Sequence, residues 1–438
     1  MKIDPKKVKN ILSKNILADG FDVVIDLDKS HGSWIVDQRD GSEYLDMFSM
    51  YASGAVGYNH PYIIENQSIL GRLAINKTTL SDIYNVYYAD FLNTFNKYAV
   101  PNYLSHAFFI DGGSLAVENA LKTAFDWKKR TNISKGIKNA GDKVIYFNQS
   151  FHGRTGYTLT LTNTSDPRKT MYFPKFPWFK VDNPKLSYPI NDDILNDVII
   201  SENNVINNIK KVINDNKDDV AAIIIEPIQG EGGDNHFRDE FMISLRELCD
   251  DNDIIFIFDE VQTGIGLTGK MWAHEHFSVK PDIISFGKKT QVCGMLAGDR
   301  IFNLDDNVFK ESSRINSTFG GNLVDMYRFK LILEIMHHEN LLSNVQEVGS
   351  YLLNKLNELA IKFPGYLTNP RGVGLFCAFD LPSGIERDKL VLKALDNNMI
   401  ILGSGDQSIR FRPHLNVSIE EIDTALDIIH TCIKDMMN

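Results

Sequence analysis

The sequence predicts an α/β protein: a large domain built on a mainly parallel sheet with helices on both faces, beside a smaller α+β domain. Three observations predict it. Short, wholly apolar runs end abruptly in polar residues, each giving way to a longer stretch before the next run. These runs are confined to the middle of the chain. The flanks instead carry amphipathic helical patterns around a few isolated strands.

In chain order, residues 5–16 predict a short amphipathic helix, and residues 22–48 predict strands around the turn Asp40-Gly41. The apolar run 108–110 ends in Asp111-Gly112-Gly113-Ser114, after which Val117, Leu121, Ala124 and Phe125 fall at helical spacing. The run 144–147 ends in Asn148-Gln149-Ser150-Phe151-His152-Gly153-Arg154, and 221–225 ends in Glu226-Pro227-Ile228-Gln229-Gly230-Glu231. The run 254–258 ends in Asp259-Glu260-Val261-Gln262-Thr263, and 283–286 in Gly287-Lys288-Lys289. Residues 164–205, rich in Pro, Asn and Asp, predict an excursion from the large domain. Helices over 341–363 and 419–437 flank strands over 375–380 and 409–411. The chain therefore divides into 1–65, a segment of the small domain; 66–334, the large domain; and 335–438, the rest of the small domain.

With 438 residues, 43% of them hydrophobic and 24% charged, the chain has ample core and is neither disordered nor fibrous. Its 46 basic and 57 acidic residues leave a net charge of −11, which argues against an electrostatic hold on nucleic acid. No apolar run approaches the ~18 residues of a membrane span, and the first residues lack a signal-peptide core. Cys249, Cys293, Cys377 and Cys432 are scattered without metal-ligand spacing, pointing to a reducing cytoplasm.

Ligands of doubly wound sheets bind beyond the carboxyl ends of the strands, so the five polar tails should converge on one pocket rather than serve as ordinary turns. Gly112-Gly113-Ser114 opens a helix, where backbone N–H groups suit a phosphate, although a plain cap has the same look. Lys288 follows a buried strand, and desolvation would leave it a neutral amine able to form a Schiff base; most lysines are merely surface residues. Asp259 could hold a protonated pyridine nitrogen, or cap a helix. Taken together, these three features describe a pyridoxal-phosphate site.

On these residues the sequence resembles the class-III, fold-type-I pyridoxal-phosphate aminotransferases. The likeness extends from Asp40-Gly-Ser-Glu-Tyr-Leu-Asp46 and Gly57-Tyr-Asn-His-Pro61 to Arg410-Phe-Arg-Pro413, and its core is Phe258-Asp-Glu-Val-Gln-Thr-Gly264, Pro281-Asp282 and Gly287-Lys288. The resemblance implies a seven-stranded sheet, with Lys288 as the Schiff-base lysine and Asp259 on the pyridine nitrogen. Gln262 would contact the ring oxygen, and Gly113 with Ser114 would hold the phosphate. Phe151 would stack on the ring, within the stretch that contains His152. Thr318 would reach the phosphate of the neighbouring subunit, implying a homodimer with shared active sites.

Arg154 resembles the arginine for a distant substrate carboxylate, Arg410 the one for an α-carboxylate, and Glu231 the glutamate that neutralises Arg410. Leu115 stands where the family often has Glu. The run Lys288-Lys289-Thr-Gln-Val-Cys-Gly294 is similar to the lysine 6-aminotransferase branch, which passes the ε-amine of L-lysine to 2-oxoglutarate and releases L-glutamate. Ornithine, 4-aminobutyrate, a β-amino acid or a diamine remain open as donors, and Lys289 is a rival to Lys288.

Two other readings are weaker. Gly264-Ile-Gly266-Leu-Thr-Gly269 spells a dinucleotide fingerprint, but five residues separate it from the strand end. A metal-dependent hydrolase could draw on His274, His276, His337 and His338, but they lack carboxylates at ligand spacing, so no metal is expected.

Overall fold

The computed structural model describes residues 3–437. Near the start, the predicted helix over 5–16 is shorter: a 3-10 turn at Pro5–Lys7 and a helix at Val8–Leu12, neither with a buried residue. Ile11, Leu12 and Ile16 stay exposed, so no packed face extends the helix. Two strands follow, β1 (Trp34–Val36) and β2 (Glu43–Asp46), paired antiparallel across the Asp40-Gly41 turn.

The large sheet has seven strands: β3 (His106–Ile110), β4 (Lys143–Phe147), β5 (Phe179–Val181), β6 (Val220–Ile225), β7 (Ile255–Asp259), β8 (Ile283–Phe286) and β9 (Cys293–Ala297). Their spatial order is β3-β9-β8-β7-β6-β4-β5. All are parallel except β9, which runs antiparallel to both β3 and β8. Every residue of β6 and β7 is buried, as a sheet covered on both faces requires, and this is why those runs are apolar throughout. Truncating one such side chain, Phe258 for instance, would cost about 3–5 kcal/mol. The excursion 164–205 holds β5 at the sheet edge and the start of the helix Asp192–Asp215, which leads into β6.

The smaller part contains β10 (Thr368–Val373), β11 (Phe376–Asp380), β12 (Met399–Ile400), β13 (Leu402–Ser404) and β14 (Ser408–Phe411). Four of these form the sheet β10-β11-β14-β13, and β12 pairs in parallel with β2. That pairing joins the two ends of the chain in one sheet. Helices Leu341–Lys362 and Ile419–Met437 cover this part, burying Leu352, Leu356, Ile422 and Ile429 at helical spacing. Helix Leu323–His338 packs mainly against the helix Val86–Tyr98. Among the described residues, no helix is long and apolar enough to cross a membrane.

Candidate active site

A cavity of about 220 Å³ opens beyond the carboxyl ends of the large-sheet strands, and all five polar tails supply its wall. Gly113 and Ser114 come from the tail of β3, and Phe151, His152 and Gly153 from that of β4. Glu226 and Glu231 come from β6, Asp259, Val261 and Gln262 from β7, and Lys288 from β8.

Gly113 begins the helix Gly113–Ser134, whose first N–H groups have no partner within the helix. Gly112 takes φ of +105° to turn the chain from strand to helix, a conformation only glycine adopts cheaply. The absence of an acid in the first turn, with Leu115 standing there, leaves the positive helix end uncompensated. The loop of β4 lies against this turn, so closely that a Cβ on Gly153 would clash with Ser114 Oγ. Helix-start N–H groups, of the kind that suit an anion, therefore border the cavity on one side.

Asp259 faces it from another. Its Oδ1 accepts from Val261 N (3.1 Å) and Ser285 Oγ (3.0 Å), and His152 Nδ1 donates to its Oδ2 (2.8 Å). The carboxylate is 4% exposed, yet it lines the cavity with acceptor capacity left over. Nε2 of His152 is buried without a partner. Glu226, which the sequence reading left without a role, accepts from Phe151 N (2.9 Å) and Gly230 N (3.1 Å). Burial, opposed by His152, pushes its carboxyl up to about 7.

The two adjacent lysines part ways. Lys288 sits at φ +54°, a left-handed conformation that costs a side-chain-bearing residue about 1–2 kcal/mol, and lines the cavity. Burial, reinforced by the charges of Arg410 and Arg412, brings its amine down from 10.5 to about 8. Lys289 is 1% exposed and its Nζ donates to the Ala52 carbonyl (2.7 Å), within a left-handed turn spanning Ser49–Ala52. Lys289 is thus spent on the backbone while Lys288 faces the open space.

At the remaining side, Glu231 Oε2 accepts from Arg410 Nη2 (2.9 Å), and its Oε1 accepts from Lys169 Nζ. Burial alone would raise the Glu231 carboxyl, but the two cations outweigh it and hold it below the ordinary range. Arg410, on β14, is 4% exposed, and its Nε and Nη1 are buried without partners. Gln262 Oε1 accepts from Arg412 Nε (3.2 Å) and Nη2 (3.1 Å), and Arg412 is itself held by Asp234.

Three candidates stand apart from the wall: Arg410, which lies behind Glu231, and Arg154 and Thr318. Arg154 is exposed, with its Nε donating to the Lys169 carbonyl (3.3 Å) and its backbone N to Ser114 Oγ (3.3 Å). Thr318 is exposed, on a segment pinned by Ser81 Oγ to the Ser317 carbonyl (3.0 Å) and by Leu80 N to the Phe319 carbonyl (3.0 Å). The histidines weighed for a metal are dispersed. His274 pairs with Glu260 (2.9 Å) and His276 faces the Thr268 carbonyl (3.1 Å). His337 and His338 end the helix Leu323–His338.

A helix-start turn, a buried acid with spare acceptor capacity and a lysine whose amine is brought down to about 8 fit pyridoxal phosphate. A fold-type-I sheet carrying that set fits a pyridoxal-phosphate-dependent enzyme. The comparisons agree. Residues 17–433 match the family model for class-III aminotransferases. The chain is 45% identical over 433 residues to the L-lysine-epsilon aminotransferase of Mycobacterium tuberculosis, covering 98% of this chain and 96% of that protein. It is 41% identical over 436 residues to the L-lysine-epsilon aminotransferase of Streptomyces clavuligerus, covering 97% and 94%. A lysine aminotransferase from M. tuberculosis, solved in the internal aldimine form, superposes with a TM-score of 0.97 at 45% identity, covering 99% of this chain and all 100% of that one. The chain belongs to the class-III aminotransferases.

Proposed function

We propose that the chain transfers the ε-amino group of L-lysine to 2-oxoglutarate, giving 2-aminoadipate 6-semialdehyde, which cyclises, and L-glutamate. The observation that carries this reading is Arg410, buried with two unpartnered donors and covered by Glu231. Such a site suits an enzyme that must accept an α-carboxylate in one half-reaction and none at that place in the other. The likeness to the lysine aminotransferases supports the choice of donor.

When bound, pyridoxal phosphate supplies an aldehyde that accepts the amino group and a ring that acidifies the neighbouring carbon. Gly113 and Ser114 would hold its phosphate, Phe151 and Gln262 its ring, and Asp259, oriented by His152, its nitrogen. Lys288 would carry it between turnovers, then serve as the base that takes a proton at Nζ from the donor carbon and returns it. Arg154 would receive lysine's distant carboxylate through a bidentate pair. With lysine bound, Glu231 neutralises Arg410; with 2-oxoglutarate bound, it stands aside. An uncovered Arg410 would be a buried, unpaired cation, a loss of about 3–5 kcal/mol.

The working unit in this reading is a cytoplasmic homodimer with shared active sites, Thr318 of each subunit serving its neighbour. Ile75, Ile83, Tyr84 and Val86, close in sequence to the Leu80 and Ser81 that pin the Thr318 segment, are exposed apolar side chains that such a dimer would cover. Four free cysteines suit a reducing compartment.

The test is to offer amino donors singly with 2-oxoglutarate and trap the cyclised semialdehyde. Lysine should lead. A pocket separates lysine from ornithine, one methylene shorter, by only about 1–3 kcal/mol, so ornithine or 4-aminobutyrate turning over faster would overturn the donor assignment. Glu231→Ala should raise use of glutamate-like α-amines and lower use of terminal amines; an unchanged preference would refute the gate.

A further inference from the structure

The carboxylate of Glu231 is held from both sides: Oε2 by Arg410 and Oε1 by Lys169, whose Nζ also lies 5.9 Å from the centre of the Phe151 ring. Lys169 ends the short 3-10 turn Pro167–Lys169 in the excursion, 62 residues before Glu231, and its side chain is 25% exposed against 4% for Arg410. Its backbone carbonyl is the acceptor for Arg154 Nε. One residue thus touches both Glu231 and the arginine proposed for the donor's far carboxylate.

The geometry points to Lys169 as a positioning residue for the Glu231 gate: the cation that keeps this carboxylate paired when an incoming α-carboxylate claims Arg410. The inference rests on the gate reading above. A carboxylate with a single cationic partner resists release, because leaving it means an unpaired charge in a mostly buried site. With the second partner already bonded to its other oxygen, Glu231 can give up Arg410 by rotating about the contact it keeps. Lys169 is more exposed than Arg410, so it can follow the carboxylate outward. Removing Lys169 therefore leaves Glu231 more firmly on Arg410 and penalises the dicarboxylate substrate, sparing lysine.

Glutarate, a dicarboxylate that cannot accept an amino group, isolates binding from chemistry and is titrated calorimetrically into the holoenzyme. Glu231→Gln should tighten glutarate about tenfold, and Lys169→Met should weaken it about tenfold, the scale of one charge-assisted hydrogen bond. Lys169→Arg, which keeps the cation, should bind like the parent. In the Glu231→Gln background, Lys169→Met should have no further effect. In steady state, Lys169→Met should raise KM for 2-oxoglutarate while leaving KM for lysine near its starting value.

Weakening by Lys169→Met that persists in the Glu231→Gln background would mean that Lys169 acts on the ligand directly or through the fold, and would overturn the inference. So would unchanged glutarate affinity in Lys169→Met with Glu231→Gln still tightening; there the gate survives and only Lys169 loses its role. Unchanged affinity in Glu231→Gln would overturn the gate itself.

Discussion

The two ends of the cavity are built on opposite principles. At the Asp259 end the carboxylate is bonded by a backbone N–H, a hydroxyl and an imidazole, all from rigid strand ends or their tails. At the Arg410 end a buried guanidinium keeps two donors unpartnered, and its one carboxylate is shared with a lysine from a distant loop. A group that stays in place through every turnover calls for one fixed geometry, which the bonds to Asp259 supply even though His152 Nε2 has no partner. Two substrates of different length call for donors held in reserve. The difference fits the proposed function, in which the unpartnered donors of Arg410 serve alternating occupants, since a buried unpaired donor is otherwise costly.

The largest expected effect tests whether the rigid end holds the chemistry. Lys288→Ala should lower transamination by about 10²–10⁴-fold, the range for loss of a positioned acid–base group. Borohydride reduction of the parent holoenzyme followed by peptide mapping should place the adduct on Lys288. An adduct on Lys289 would break the comparison, because that amine is committed to the Ala52 carbonyl. Asp259→Asn should follow with a loss of about 10²–10³-fold in kcat, the scale for removing preorganised electrostatic support. A change confined to KM would show instead that the acid only holds the cofactor in place.

The rigid end was the more legible in the sequence, and for a physical reason. Its residues lie at the ends of strands buried on both faces, where an unbroken apolar run stops at one polar residue, as Ile257-Phe258-Asp259 does. Legibility failed where the local pattern was weak. Strand β9 carries Cys, Gly, Met, Leu and Ala, without the β-branched and aromatic residues that mark a strand, and its antiparallel place is set by its neighbours β3 and β8. Strand β5 is three residues long in a Pro- and Asn-rich stretch. At the other end of the cavity, family likeness named Arg410 and Glu231, but nothing near Lys169 pairs it with a glutamate far along the chain. The exposed position of Arg154 was equally invisible, since a motif fixes which residue is present and not where its side chain lies. Glu226 was visible as a strand-end acid, but one of its backbone donors, Phe151 N, comes from another tail, and the fold of its own tail that returns Gly230 N to it had no local signature.

Arg410→Lys probes the reserve directly. A lysine keeps the charge and loses the planar fork, so KM for 2-oxoglutarate should rise about 10- to 100-fold, corresponding to one or two charge-assisted bonds. Reduction of the holoenzyme by lysine alone, followed as the cofactor's spectral change in a single turnover, should alter far less. Equal losses in both half-reactions would mean that Arg410 supports the whole site and has no separate substrate role.

The smallest effect tests whether the two ends are electrically coupled. Lys288 titrates at about 8 because burial and the charges of Arg410 and Arg412 disfavour its protonated form, while Glu231 favours it. Only the neutral amine attacks an aldehyde, so capture of pyridoxal phosphate by the apoenzyme should rise with pH, turn over near 8 and level off above. An unshifted lysine would keep gaining to beyond pH 10. Glu231→Gln removes a charge that favours the ammonium form, so the midpoint should move down. Arg410→Gln removes one that opposes it, so the midpoint should move up. Each shift should be under about one unit, because each partner is only one contributor beside desolvation. Stopped-flow capture rates across pH 6.5–10 read both directions. Midpoints that stay fixed in both variants would separate the two ends of the cavity electrostatically, leaving burial alone to tune the lysine.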